Sequence, residues 1–183
     1  MKHTYWIHEK FFTPKQIKDL NLSFKKNKDT SVYDTHQDSS KKISEVTHVQ
    51  WNNIKKELYE FNNYVDHINQ EYFGFDLYPM NDNNFISSNK YEGSKKGIYD
   101  YHTDGFMNDK SNSIKLTCLI NTSEKTFVGG DFYIFLDGPI LIKNFSTPGS
   151  VIIFPCLFPH KVSEVIEGTR TSISLWRRGP HFR

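Results

Sequence analysis

Cysteine is nearly absent from this chain, with only Cys118 and Cys156 among 183 residues. Both fall inside apolar runs that read as strands, so they are expected to fill core in a reducing, cytoplasmic compartment. Long hydrophobic runs are missing as well. No stretch approaches the roughly 20 apolar residues of a membrane span, and the opening MKHTYWIHEKFF has no apolar run of the kind a signal peptide needs. An excess of charge is also lacking. A formal net charge of +2 implies no strong pull toward nucleic acid or an anionic membrane surface. The one arginine-rich piece, WRRGPHFR at the end, reads as a solvated terminus. No internal repeat or low-complexity segment occurs. What remains is a polar globular composition, 37% hydrophobic, 24% charged and 15% aromatic, long enough for one domain over 1–183 with a real core.

The first part of the chain reads as helical. Thr13, Pro14 and Gln16 form a capping-box-like start, with proline at the first helical position, ahead of KQIKDLNLSFKKNK. Residues 29–48 are polar and patternless, a loop with room for a short strand. A longer helix is predicted over about 51–72, where Ile54, Leu58, Phe61, Val65, Ile68 and Tyr72 form an amphipathic stripe that Gly74 ends. That stripe is expected to pack against a sheet. From about Phe75 the texture changes to short β-branched and aromatic runs between turn signals: NNFISSNKY, GIYDYHTD, SIKLTCLIN, GGDFYIFL, PILIKNF, GSVIIFP, HKVSEVI and RTSISLW. Such strands at close spacing suggest a β-sandwich or barrel. The expected fold is mainly β with N-terminal helices (α+β), a helical support region over 1–80 bracing a β core over 81–183.

Within YHTDGF (101–106), His102 and Asp104 stand two apart, and residues i and i+2 of a strand point to the same face. An imidazole and a carboxylate then aim at one point. Alone this is a short match of the kind chance supplies. Downstream, His160 begins another strand, 56 residues after Asp104. Two histidines and a carboxylate make a three-ligand face with open positions, suited to non-haem Fe(II) that must bind oxygen. Zinc could take the same three ligands, although a closed structural zinc site would want a fourth, usually Cys or His. His3, His8, His36, His48, His67 and His181 are expected at the surface.

Ten residues beyond His160 comes Arg170, then Ser172. On a strand, Arg170, Ser172, Ser174 and Trp176 share one face, while Thr171, Ile173 and Leu175 form a core face. A guanidinium and a hydroxyl at i and i+2 can grip a carboxylate through charge-assisted hydrogen bonds. The competing reading is a solvated surface arginine. A flat hairpin at EGT would leave His160 and Arg170 roughly 16 Å apart, too far for one small dicarboxylate. If the connection instead crosses to a facing sheet roughly 10 Å away, both enter one cavity.

With these residues in hand, the chain resembles the Fe(II)- and 2-oxoglutarate-dependent dioxygenases, in their prolyl 4-hydroxylase-like branch. The matching pieces are Tyr91, then Y99-x-x-H102-x-D104, GGDF (129–132), PGSVIIFP (148–155), H160-K-V, G168-x-R170 and W176-x-x-G179. They cover roughly 85–180, and residues 1–80 match no motif. The resemblance implies a double-stranded β-helix, that is, a jelly roll. It carries over His102, Asp104 and His160 as the catalytic iron ligands. It makes Arg170, assisted by Tyr91 and with Ser172 on the same face, the partner of the cosubstrate's distal carboxylate. Tyr99 and Trp176 match positions near the substrate. One departure stands out: many prolyl 4-hydroxylases carry lysine where this chain has Arg170, which bears on the target and leaves cosubstrate use intact.

The resemblance further implies Fe(II), with 2-oxoglutarate and O2 as cosubstrates and ascorbate as an accessory reductant. The expected reaction is hydroxylation of a C–H bond, foremost in a prolyl residue of a peptide or protein. A free amino acid or other small molecule is the nearer alternative, a nucleic-acid demethylase the further one, and a non-catalytic jelly-roll binding module the alternative of another class. The pocket rim is expected around 29–48, 75–97 and 105–112. No membrane partner is expected, and the oligomeric state is open.

Overall fold

The computed structural model describes residues 3–28, 40–104 and 113–182. In chain order, β1 (Trp6–His8) leads to α1 (Pro14–Lys26), then β2 (Lys42–Ile43), β3 (Glu45–Gln50) and α2 (Lys55–Ile68). The strands β4 (Phe85–Glu92), β5 (Ile98–His102), β6 (Ser113–Asn121), β7 (Val128–Gly129), β8 (Phe132–Phe135) and β9 (Pro139–Leu141) follow. The chain ends with β10 (Val151–Pro155), β11 (His160–Val162), β12 (Val165–Glu167) and β13 (Thr169–Gly179). A six-stranded sheet runs β1-β10-β6-β13-β4-β3 and a five-stranded sheet β2-β5-β11-β8-β9, while β12 and β7 form a small ribbon. Among the described residues every pairing is antiparallel. Among the described residues no helix is long and apolar enough to cross a membrane.

Local chemistry accounts for the helices. Thr13 accepts from the backbone N–H of Gln16, and the Gln16 side chain accepts from the backbone N–H of Thr13, with Pro14 as first helical residue. Lys25 and Lys26 occupy the last turn, at the negative end of the helix dipole. The helix expected over 51–72 is three pieces, a 3-10 turn (Trp51–Asn53), α2 and a π-helical turn (Asn69–Phe73), capped by Gly74 at φ 74°. The stripe survives the breaks. Ile54, Leu58, Phe61, Val65 and Ile68 are all buried, and Tyr72 packs at the edge of the same cluster. With Ile17, Leu20 and Phe24 of α1 they cover Ile120, Ile173 and Leu175 on the outer face of the six-stranded sheet.

Residues 1–80 hold more than helices, which corrects the helical reading of that part. β1 extends the large sheet beside β10, β3 pairs with β4, and β2 joins the small sheet beside β5. β1 and β2, of three and two residues, are too short to show a period in a sequence, and pairing alone creates them. Both cysteines are free and buried, as expected. Between the sheets, Leu119, Ile152 and Phe154 of the larger meet Phe132, Ile134 and Val162 of the smaller. Beside this filling, polar side chains replace apolar ones and a cavity opens.

Candidate metal centre and active-site cavity

The cavity has a volume of ≈ 520 Å³ and is walled by both sheets. His102 ends β5, Asp104 follows two residues on, and His160 opens β11 directly opposite His102 in the ladder. Donor atoms of the three lie within 4.8 Å of one another. Nε2 of His102 is 3.7 Å from one Asp104 carboxylate oxygen, and Nε2 of His160 is 3.7 Å from the other. Backbone carbonyls set the tautomers. Nδ1–H of His102 donates to Asp100 O at 2.8 Å, and Nδ1–H of His160 donates to Phe158 O at 3.0 Å. A carbonyl only accepts, so each Nδ1 holds its proton and each Nε2 turns a lone pair toward Asp104. The carboxylate is fixed in turn, accepting from the Thr117 hydroxyl at 2.7 Å and the Trp176 indole N–H at 2.8 Å. These three donors fit one divalent metal with positions left open toward the cavity. No fourth His, Cys, Asp or Glu joins the cluster among the described residues, unlike a closed structural zinc site.

The electrostatics keep His102 and Asp104 unprotonated. Burial, reinforced by neighbouring His160, brings His102 down to about 4, against the opposing pull of Asp104. Burial pushes Asp104 up, but His160, His102 and the bonds from Trp176 and Thr117 carry it below its ordinary value.

Arg170 faces this centre from the other sheet. On β13 the residues Arg170, Ser172, Ser174 and Trp176 line the cavity, while Ile173 and Leu175 enter the core, in the predicted alternation. The chain crosses from β11 in the small sheet to β13 in the large one, which resolves the hairpin distance. Arg170 is only 2% exposed and donates to Ser172 Oγ at 3.0 Å. Tyr91, its register partner on β4, holds its ring centroid 5.5 Å from the guanidinium carbon, and Phe145 lies at 5.7 Å. Burial lowers the Arg170 pKa and raises that of Tyr91. Among the described residues no carboxylate ion-pairs with Arg170. A guanidinium buried among aromatic rings and hydroxyls is a receptor for an anion.

Tyr99, at odd spacing from His102, reaches the cavity through a bulge. His160 pairs with His102 but Val162 with Tyr99, so three residues of β5 span two of β11. The Tyr99 ring stacks on His102 with centroids 3.5 Å apart. The irregularity falls after Gly97, whose own reason is close approach: a Cβ there would meet Glu92 N and Tyr91 Cβ at 2.8 Å.

Sequence reasoning missed Thr117, the one hydroxyl in LTCLI (116–120), which as the lone polar residue of that apolar run was a findable signal. It also missed Lys42 and Arg178 in the cavity wall. His48 corrects the expectation of surface histidines. β3 turns it into the cavity, where Nδ1 lies 2.9 Å from Ser87 Oγ. His3, His8, His67 and His181 are exposed. His36 and the expected rim segment 105–112 lie outside the described residues, as does the larger part of 29–48.

No family model matches the chain, and no curated protein does either. Solved structures do. A Pseudomonas putida prolyl-4-hydroxylase superposes with a TM-score of 0.72 at 17% identity, covering 98% of this chain and 94% of that one. The viral collagen prolyl hydroxylase of Paramecium Bursaria Chlorella virus-1, solved as a 2OG complex, gives 0.64 at 18% identity, covering 97% of each chain. A 2OG-Fe(II) oxygenase family oxidoreductase from Burkholderia pseudomallei gives 0.62 at 15% identity, covering 97% and 86%. The chain has the prolyl 4-hydroxylase-like fold of the 2OG-Fe(II) oxygenases. At such identities the likeness speaks to fold, and chemistry must be argued from the cavity.

Proposed function

We propose that this protein is an Fe(II)- and 2-oxoglutarate-dependent dioxygenase, built on a double-stranded β-helix, that hydroxylates a prolyl residue of a peptide or protein. The observation that carries the reading is the buried Arg170 facing His102, Asp104 and His160 across one cavity. When bound there, Fe(II) with 2-oxoglutarate and O2 supplies the oxidant for C–H hydroxylation and releases succinate and carbon dioxide. The two imidazoles and the carboxylate hold the metal on one side. Thr117 and Trp176 hold the carboxylate. Arg170 receives the distal carboxylate of 2-oxoglutarate, with Ser172 steadying the guanidinium and Tyr91 beside it. Tyr99 and Trp176 border the space left for substrate, and the apolar packing of the two sheets excludes water from the other side. Free, buried thiols support a reducing, cytoplasmic setting.

A prolyl target is favoured by the fold likeness and by a neighbour from Trichoplax adhaerens solved with a hypoxia inducible factor peptide fragment, similar at TM-score 0.66 and 14% identity. The test measures succinate formation with Fe(II), 2-oxoglutarate, O2 and ascorbate supplied. Asp104→Ala is expected to abolish it, and Arg170→Ala to weaken 2-oxoglutarate binding about ten- to a hundred-fold, the usual loss for a charge-assisted contact. Undiminished succinate from Asp104→Ala would sink the triad. Unchanged 2-oxoglutarate affinity in Arg170→Ala would move the distal carboxylate elsewhere.

A further inference from the structure

Two of the groups that surround the buried guanidinium of Arg170 lead back to one residue that does not touch it. Asn121 ends β6, has Ser172 as its register partner on β13, and is fully buried. Its Nδ2 donates to Phe145 O at 2.9 Å and to Ser146 O at 3.0 Å, both in the 3-10 turn Lys143–Ser146. That turn holds the Phe145 ring beside the guanidinium and against Phe132, which itself packs on His160. The Oδ1 of Asn121 accepts from the backbone N–H of Ser123 at 3.1 Å. Ser123 in turn clasps Thr171, the residue between Arg170 and Ser172. Its hydroxyl accepts from Thr171 N–H at 3.0 Å and lies 3.3 Å from Thr171 O as a donor.

One carboxamide thus fixes a ring on one side of the guanidinium and the stretch of strand that carries it. The main chain of Asn121 does separate work. Its N–H donates to Ser150 O at 2.9 Å and its carbonyl accepts from Gly149 N–H at 2.8 Å. A substitution of the side chain leaves those two bonds in place and cuts only the links toward Arg170. Asparagine suits the position because a carboxamide offers two donors and an acceptor in one plane. An ionised aspartate of the same shape loses both donors and sets a carboxylate against two carbonyl oxygens.

We infer that Asn121 is a positioning residue for the distal carboxylate of the cosubstrate, acting on Arg170 through Phe145 and Thr171; this rests on the 2-oxoglutarate-dependent reading above. A guanidinium grips a carboxylate through a planar fork, so its direction matters as much as its charge. A tilted Arg170 loses affinity for the anion while the metal donors, which belong to the other sheet and its following turn, stay as they are.

The test compares Asn121→Asp and Asn121→Ala with Arg170→Ala and with Leu58→Ala, which loosens the cluster on the outer face of the large sheet. Calorimetry measures the binding of Mn(II), and of 2-oxoglutarate to the Mn(II)-loaded protein; turnover with Fe(II) is followed separately. Both Asn121 variants are expected to bind 2-oxoglutarate about ten-fold more weakly, with Mn(II) affinity unchanged. The KM for 2-oxoglutarate should rise by a similar factor while kcat at saturating 2-oxoglutarate is kept. If the Asn121 variants do not fold, Phe145→Leu and Ser123→Ala cut the two routes one at a time, since each keeps its main-chain bond to the carboxamide. Each is then expected to weaken 2-oxoglutarate binding about two- to ten-fold, and full affinity in both overturns the inference. Full affinity in folded Asn121 variants, with Arg170→Ala impaired, overturns the inference alone. An equal loss in Leu58→Ala, or a parallel loss of Mn(II) affinity, makes Asn121 merely structural and overturns it too. Absence of 2-oxoglutarate binding in the unsubstituted protein, or undiminished binding in Arg170→Ala, overturns the functional reading and the inference with it.

Discussion

Trp176 shows how one side chain can be placed correctly and still hold more than one role. Its alternation with Arg170 was legible, and the cavity receives it as that alternation requires. What the sequence could not carry is the indole N–H, which donates to Asp104 at 2.8 Å. That bond is a meeting of residues 72 apart, and no local pattern encodes it. Trp176 therefore orients a metal donor as well as bordering the substrate space, and Trp176→Phe separates the two roles by keeping a ring while deleting the donor. Loss of such a hydrogen bond to a ligating carboxylate typically costs ten- to a hundred-fold in metal affinity or activity. The expected outcome is weaker Fe(II) binding, with 2-oxoglutarate consumption and hydroxylation falling together. Unaltered metal affinity alongside selective loss of hydroxylation would confine Trp176 to the substrate.

Among the elements, legibility followed length and local chemistry. The capping box of α1, the stripe of α2 and the two faces of β13 are written in residues close together in the chain, so spacing revealed them. β1 and β2 are defined only by partners far away, and the π-helical turn at Asn69–Phe73 leaves the buried stripe intact, so neither left a trace. The connection from β4 in the large sheet to β5 in the small one is a third kind of case. The bulge between Tyr99 and His102 lies just after Gly97. The place of the glycine is dictated by backbone crowding against Tyr91 and Glu92, neither of which can swing aside. Gly97→Ala must push Tyr91 away from Arg170, at a cost of about 1–3 kcal/mol typical of overpacking. A melting temperature lower by about 2–10 °C is expected, together with weaker 2-oxoglutarate binding. Gly138→Ala, with nothing within 4 Å of its added carbon, is the control that should leave both unchanged. Equal behaviour of the two variants would remove Gly97 from the architecture of the site.

At the scale of the whole molecule, the Asp104 carboxylate ties the two sheets together. His102 and His160 belong to the small sheet, whereas Thr117 of β6 and Trp176 of β13 reach Asp104 from the large one. A metal held by the three donors thus braces the sandwich, and binding to the folded state alone stabilises it by mass action. The same burial makes the metal-free protein sensitive to acid. In the unfolded chain His102 takes up a proton as pH falls through about 6.5, but in the folded site it does so only near 4. Between those values the unfolded state binds more protons, so stability rises with pH. The contribution is fully present above about 6.5 and is lost as pH falls toward 4. Asp104, held below its ordinary value, adds a loss in the same direction at still lower pH. Lowering the pH from 7 to 5 should cost the metal-free protein about 2 kcal/mol through His102, a drop of several degrees in melting temperature. His102→Gln lacks the titrating group, so its melting temperature should fall less over that interval. Identical slopes for the two proteins would show that His102 is not buried neutral in the metal-free site.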